Sequence, residues 1–305
     1  MSEILINLIV FFLKTIVIVA AIILIIASTK KKSSNQLIIT HLNKKWLEVN
    51  KYFTKMTKQK ISHKKSQKKK NKCFYVLFKG DMNASSVVKL RNEISAIINN
   101  ATKNDKVCIN IESPGGTIID YGLANAQLQR LKQAKISLDV VVDRVAASGG
   151  YLMACVADKI IAAPYSFIGS IGVAFELFNA HELLKHHHIQ TETITSKKYK
   201  RTLTPFSKTT PEAKAKVRED LSKYQQQFES SILKYRPKLN INEVATGEYW
   251  CAENAIKLGL VDELGTSDEY LFNTMKEYDV YQVEYKVKAS MKQKFFNRMK
   301  SYVQF

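Results

Sequence analysis

A chain of 305 residues that is 46% hydrophobic and carries a net charge of +20 is long enough to bury one large core or two small ones. The charge is concentrated: residues 30 to 72 hold fifteen lysines against the single acid Glu48, so the remainder is only mildly basic. Cys73, Cys108, Cys155 and Cys251 form no Cys-x-x-Cys pair and no ligand spacing, which argues against disulfides and metal clusters and leaves free thiols packed as small apolar groups.

From Ile4 to Ala27 the chain is almost wholly apolar, broken only by Asn7, Lys14 and Thr15, and its 24 residues suffice to cross a bilayer core. Residues 1–29 are therefore read as a transmembrane anchor. A cleaved signal peptide fits less well, because the first residues are not basic and no small-x-small site precedes Lys30-Lys31-Lys32. Lys14, mid-span, has to snorkel or face a partner helix. Residues 30–72 read as a Lys-rich linker that stops transfer and contacts anionic lipid. Trp46, Tyr52 and Phe53 are too few and too clustered for a base-stacking platform, so no nucleic-acid partner is expected. The lysine excess after the span predicts that the body that follows lies on the cytoplasmic side of the cell inner membrane.

Residues 73–288 change character, with short β-rich runs alternating with helical periodicity, the pattern of βαβ units in an α/β fold. Phe74 to Phe78 reads as a strand, followed by a helix with Val87, Leu90, Ile94 and Ile97 on one stripe. Lys106 to Ile111 is the next strand, ending in Glu112-Ser113-Pro114-Gly115-Gly116 before a helix carrying Leu123, Leu128 and Leu131. Leu138 to Val142 is another strand, leading to the Ser148 turn and a helix through Met153 and Val156. Two glycine-doubled turns thus fall at the carboxyl edge of a parallel sheet, where open α/β sheets build their sites. Further helices are expected over Pro211 to Tyr235, with Val217, Leu221, Tyr224 and Phe228 packed inward, over Glu253 to Leu258, and over Asp268 to Met275. Residues 289–305, mixing Phe295, Phe296, Met299 and Val303 with Lys292, Lys294, Arg298 and Lys300, read as a basic amphipathic tail for a membrane, a neighbouring subunit or the core.

The six histidines exclude a Ser-His-Asp site: His41 and His63 fall in the lysine-rich stretch, and His181, His186, His187 and His188 read as a solvated helix end. His181-Glu182 has Lys185 where the His-Glu-x-x-His motif needs its second ligand, so no metal is expected. No cofactor is called for. What remains is Ser148 in Ala146-Ala147-Ser148-Gly149-Gly150, with Gly116 and Gly149 as candidate backbone donors to an oxyanion. A base other than histidine would be a lysine, which has to be uncharged to accept the proton and so must be desolvated or crowded by like charge. Lys197, Lys198, Lys200 and Arg201 form such a cluster, and composition does not select among them.

Glu112-Ser113-Pro114-Gly115-Gly116, Val145-Ala146-Ala147-Ser148-Gly149-Gly150-Tyr151, Gly169-Ser170-Ile171-Gly172-Val173 and Tyr199-Lys200-Arg201-Thr202-Leu203 resemble the segments of the signal peptide peptidase A (protease IV) family, above all its SohB branch. Val244-Ala245-Thr246-Gly247-Glu248 and Gly259-Leu260-Val261-Asp262-Glu263 continue the likeness, which covers most of residues 73 to 280. The resemblance implies a ClpP/crotonase-like α/β spiral, a homo-oligomer, and a serine endopeptidase that cleaves membrane-associated or signal-derived peptides with a Ser/Lys dyad. It places Ser148 as nucleophile, Lys200 as general base, Gly116 as oxyanion donor and Ser170 as the hydroxyl that orients the lysine amine. Protease IV members act outside the cytoplasm, at odds with the lysine flank of this chain. Two other readings keep parts of the pattern: a crotonase-like enzyme acting on an acyl-thioester, and an inactive membrane scaffold.

Overall fold

A strand buried on both faces needs a nearly unbroken apolar run, and Lys72–Lys79, with the sequence KCFYVLFK, supplies one. In the computed structural model of the chain, which describes residues 2–29, 36–58 and 70–287, this strand lies within a seven-stranded sheet. In chain order the elements are α1 (Ser2–Thr29), β1 (Gln36–His41), α2 (Leu42–Thr57), β2 (Lys72–Lys79), α3 (Val87–Asn100), β3 (Lys106–Glu112), α4 (Ile118–Gln133), β4 (Ser137–Val142), β5 (Val145–Ala147) and α5 (Gly149–Ala154). They continue with β6 (Lys159–Ala162), β7 (Phe167–Gly169), α6 (His181–His186), α7 (Pro211–Tyr235), α8 (Ile241–Val244), β8 (Tyr249–Cys251), α9 (Ala252–Ala255), β9 (Glu263–Leu264), α10 (Ser267–Glu277) and β10 (Asp279–Lys286).

The large sheet runs β1-β10-β2-β3-β4-β6-β9, parallel at every pairing from β10 to β9, as the α/β pattern predicts. A second sheet of three short strands, β5-β7-β8, pairs β5 with β7 in parallel and β7 with β8 antiparallel. The apolar stripe of α3 is the expected one, with Val87, Leu90, Ile94 and Ile97 all buried. On α4 the buried face is Tyr121, Ala124, Leu128 and Leu131; Leu123, expected inward, lies partly exposed, because the stripe starts from a tyrosine that the apolar count passed over. On α7 only Phe228 and Ile232 are fully buried and Tyr224 faces solvent, so this long helix packs through its C-terminal part. The four cysteines are free, three of them buried, and burial pushes the Cys73 and Cys155 thiols up to about 12.

Two differences from the sequence-based expectation lie at the ends. Residues 36–57, inside the segment expected to be a linker, fold into β1 and α2. The lysines masked a Leu-Ile-Ile run that adds an edge strand beside β10, and Asn43 fastens the first turn of α2. Its Nδ2 donates to the carbonyls of Met275 (3.2 Å) and Tyr278 (3.0 Å), and its Oδ1 accepts from the Val280 N–H (2.7 Å). The chain divides into two units, residues 1–37 with 286–305 and residues 38–285. In the first, α1 is a continuous helix of 28 residues over the expected anchor, and its described side chains from Ile6 to Ala21 are all exposed. Among the described residues no helix is long and apolar enough to cross a membrane. Residues 30–35 and 59–69 of the expected linker, and the basic tail 289–305, lie outside the described residues.

One buried carboxyl couples this body to pH. Glu93 on α3 is 3% exposed and accepts from the Tyr285 N–H (2.7 Å); burial pushes it up to about 7 against that bond and the nearby Lys89, which hold it down. A carboxyl raised on folding binds its proton more tightly in the native state, so its contribution to stability is present below the unfolded value and fades as pH rises through 7. Glu93→Gln keeps an acceptor for Tyr285 and should flatten this dependence. In urea unfolding of the detergent-solubilised chain, the variant is expected to gain on the native protein between pH 5 and pH 8 by up to about 3 kcal/mol. Equal pH slopes would rule the assignment out.

Candidate active site

Because β3 and β4 are parallel, their carboxyl ends share one edge, and the segment after β3 is sewn there to β5. The Ser113 N–H donates to Val145 O (2.8 Å) and the Ala147 N–H donates to Ser113 O (3.0 Å). β5 then pairs in register with β7, Ala147 opposite Gly169, so Ser148 and Ser170 leave adjacent strand ends side by side. The Ser148 N–H donates to Gly169 O (2.7 Å) and the Ser170 N–H to Glu248 O (2.6 Å).

Both serines adopt a backbone conformation that non-glycine residues rarely take: Ser148 has φ 50° and ψ −119°, and Ser170 has φ 51°. Such a conformation costs on the order of 1–3 kcal/mol and persists only where the surroundings dictate it. The ordinary role of a serine before a helix is to cap it from an extended conformation. Ser148 has neither that conformation nor a cap bond, and its hydroxyl has no hydrogen-bond partner among the described residues. A strained serine between strand and helix, with its oxygen unused, has the geometry of a nucleophile elbow.

Around it the backbone approaches too closely for any side chain. A Cβ on Gly115 would lie 2.7 Å from Ser148 Cβ and 2.8 Å from Gly149 N. One on Gly116 would lie 2.0 Å from Met82 O, and one on Gly149 2.3 Å from Tyr121 Cγ. The amide groups sort themselves clearly. The Gly115 N–H is taken by Ser113 Oγ (3.1 Å), that of Thr117 by Met82 O (2.9 Å) and that of Ser148 by Gly169 O. The N–H groups of Gly116 and Gly149 have no acceptor among the described residues. Gly149 is buried and Gly116 half-buried; a buried amide without a partner costs about 1–3 kcal/mol, so the Gly149 N–H is a donor already desolvated.

Two positioning residues escaped the sequence-based expectation. Tyr121 OH donates to Asp81 O (2.8 Å) and so receives the Ser113 hydroxyl proton (2.6 Å), while Ser113 Oγ accepts the Gly115 N–H. This relay fixes the glycine loop from beneath, and the Tyr121 ring forms the floor under Gly149. Burial raises the Tyr121 hydroxyl above its ordinary value, which keeps it a donor. The only signal in sequence was a tyrosine one turn after the Pro-Gly-Gly segment.

Lys200 is placed differently. It sits in an exposed turn where its N–H donates to Lys197 O (3.1 Å), amid Lys197, Lys198, Tyr199 and Arg201, all exposed. Among the described residues no hydrogen bond joins its ammonium to Ser148 or Ser170. The structure therefore sets Ser148 beside Ser170, Gly149 and the glycine loop of Gly115 and Gly116, and Lys200 stands in its exposed turn with no hydrogen bond to them among the described residues. The segment 173–210 around it is mostly irregular and presents Phe178 (81% exposed) and Ile194 (88%) to solvent. A cleft of about 230 Å³ between α10 and the β6–β9 edge contains none of these residues.

Comparison with known families matches residues 3–128 to the N-terminal region of peptidase family S49 and residues 130–281 to peptidase family S49. The chain belongs to peptidase family S49. Among S49 relatives, it is 48% identical over 227 residues to a Haemophilus influenzae protein named "Probable protease SohB", a match covering 74% of this chain and 64% of that one. It is 47% identical over 241 residues to the Buchnera aphidicola subsp. Schlechtendalia chinensis protein of the same name, covering 77% of this chain and 79% of that one. Among solved structures it is similar to the 1510-N membrane-bound stomatin-specific protease with a bound substrate peptide, at 16% identity and a TM-score of 0.46 over 76% of this chain and 99% of that one. It is also similar to the ClpP protease catalytic domain of Plasmodium falciparum, at 14% identity and a TM-score of 0.41 over 64% and 85%. Membership of S49 agrees with the resemblance carried by the sequence motifs.

Proposed function

We propose that this S49 chain is a serine endopeptidase in which Ser148 attacks the peptide carbonyl, Lys200 takes the hydroxyl proton, and the Gly116 and Gly149 amides hold the resulting oxyanion. The observation that carries the reading is Ser148 itself: a strained turn, an unused hydroxyl and two unpaired backbone donors beside it. The tetrahedral adduct collapses by breaking its C–N bond, the departing amine takes the proton from Lys200, and the ester on Ser148 Oγ remains. A water deprotonated by the Lys200 amine then adds to the ester carbonyl, the bond from that carbon to Ser148 Oγ breaks, and Lys200 returns the proton to Ser148 Oγ. Ser170, beside Ser148 at the strand ends, is the hydroxyl that would orient the incoming amine.

Lys200 can serve as a base only when its amine is stripped of water, and in a single copy its turn is open to solvent. The cover is supplied by a second copy of the chain, consistent with the exposed apolar side chains Phe178, Ile194 and Tyr199 on the same segment. We further propose that α1 anchors the enzyme in the cell inner membrane. The support lies in the sequence, whose apolar run from Ile4 to Ala27 is broken only by Asn7, Lys14 and Thr15. The lysine excess that follows this run supports a catalytic body on the cytoplasmic side, and the substrates we propose are membrane-associated or signal-derived peptides.

Labelling of the bilayer-reconstituted chain with a fluorophosphonate tests both assignments. Adduct on Ser148 is expected in the native protein, and Lys200→Met should slow labelling and casein cleavage together by about 10²- to 10⁴-fold. A folded protein that never labels at Ser148 sinks the peptidase reading; native rates in Lys200→Met sink only the base.

A further inference from the structure

We infer that α2 is an interfacial helix that lies in the headgroup layer of an anionic bilayer, with Trp46, Val49, Phe53 and Met56 turned toward the acyl chains. This rests on the anchoring proposed for α1 and adds to it a folded second contact that holds the catalytic body at the membrane surface.

Only the first turn of α2 belongs to the core. Leu42 is buried with Tyr75, Cys108, Val141 and Val280, and Asn43 is held by three backbone bonds to 275–280. Beyond that turn the helix projects from the body with almost every side chain exposed. Helices that stand free in water are normally polar all round, yet here Trp46 is 50% exposed, Phe53 61% and Met56 64%. Positions 42, 46, 49, 53 and 56 alternate in steps of four and three, so these side chains form one continuous stripe that starts at the buried Leu42. Lys44, Lys51 and Lys55 lie across the helix from it, and Lys45 lies on its flank. Glu48 is the single acid of the helix. An aromatic stripe backed by lysines is the composition of a helix that binds at the interface of anionic lipid. It also begins only twelve residues after α1 ends.

The same spacing would suit a two-stranded seam between copies. The flanking positions argue against that occupant: Asn43, Lys45, Asn50, Tyr52 and Thr57 include no acid to pair with Lys45, so two copies would meet with unmatched cations.

The chain has two tryptophans, so the difference between the native protein and Trp46→Phe isolates the Trp46 emission. The full chain is reconstituted into phosphatidylcholine vesicles containing 30% phosphatidylglycerol, with bromine on the lipid chains near carbon 6 or near carbon 11. Trp46 is expected to be quenched more strongly by the shallow bromines and shielded from acrylamide. Replacing Lys44, Lys45, Lys51 and Lys55 together by Gln should at least halve the quenching while the chain still floats with the vesicles. If the chain floats but Trp46 is unquenched and open to acrylamide, α2 is not interfacial and the α1 anchor stands. If Trp46 is shielded equally in detergent by a dimer, the stripe serves a second copy and the inference is overturned. A chain that fails to float at all overturns the anchor and this inference together.

Discussion

Ser148→Ala is expected to lower peptide hydrolysis by roughly 10⁴-fold or more, as loss of the nucleophile does in serine hydrolases, while leaving thermal stability nearly unchanged. The pairing of outcomes is what makes the test sharp. Were Ser148 an ordinary helix cap, its removal would cost about 0.5–2 kcal/mol and little activity. Its hydroxyl makes no cap bond, so alanine removes nothing that the fold uses. Ser148→Gly should be equally inactive and about 1 kcal/mol more stable, because glycine occupies φ 50° without strain. Casein turnover and a melting curve on each variant suffice, and native turnover in Ser148→Ala would dispose of the enzyme assignment.

The largest structural effect is expected at Gly149. A Cβ there would stand 2.3 Å from Tyr121 Cγ and 2.6 Å from Tyr121 Cβ, against a ring that is fully buried and tied through its hydroxyl to Ser113 and Asp81. The ring has nowhere to move without breaking the relay under the glycine loop. Gly149→Ala should therefore cost about 3 kcal/mol or more, by overpacking together with the lost bonds. It should also abolish labelling at Ser148 in whatever protein still folds. Unfolding midpoints for Gly149→Ala, Tyr121→Ala and the double variant measure the clash directly: the double variant should be more stable than the sum of the two losses predicts. Simple additivity would mean that the two side chains do not meet.

Much of this site is readable in the sequence alone. The runs that form β2, β3 and β4 are apolar on both faces, and the α3 stripe of Val87, Leu90, Ile94 and Ile97 has helical spacing, so periodicity reports them faithfully. The doubled glycines follow from where parallel strands end. Other features depend on long-range pairing, which local pattern does not encode. The three-residue strands β5, β7 and β8 carry no period of their own, and they are what set Ser148 beside Ser170. The Ser113–Tyr121 relay is made by two hydroxyls whose meaning appears only when Gly149 packs on the ring. β1 is hidden by the lysines around it, since charge density outweighs a run of only three apolar residues. For Lys200, sequence names the residue type that the chemistry requires, whereas its exposed turn belongs to the packing of one copy.

In the large sheet β10, which follows all the other described strands in the sequence, sits between β1 and β2, which precede them. A ribosome delivering this chain releases β1 long before the neighbour it pairs with exists. That margin of the sheet therefore closes only after translation has run past residue 286, and until then β1 is an open edge waiting beside the emerging protein. Truncation within β10 would leave a nascent product with its glycine loop and Ser148 already synthesised and its first strand still looking for a mate.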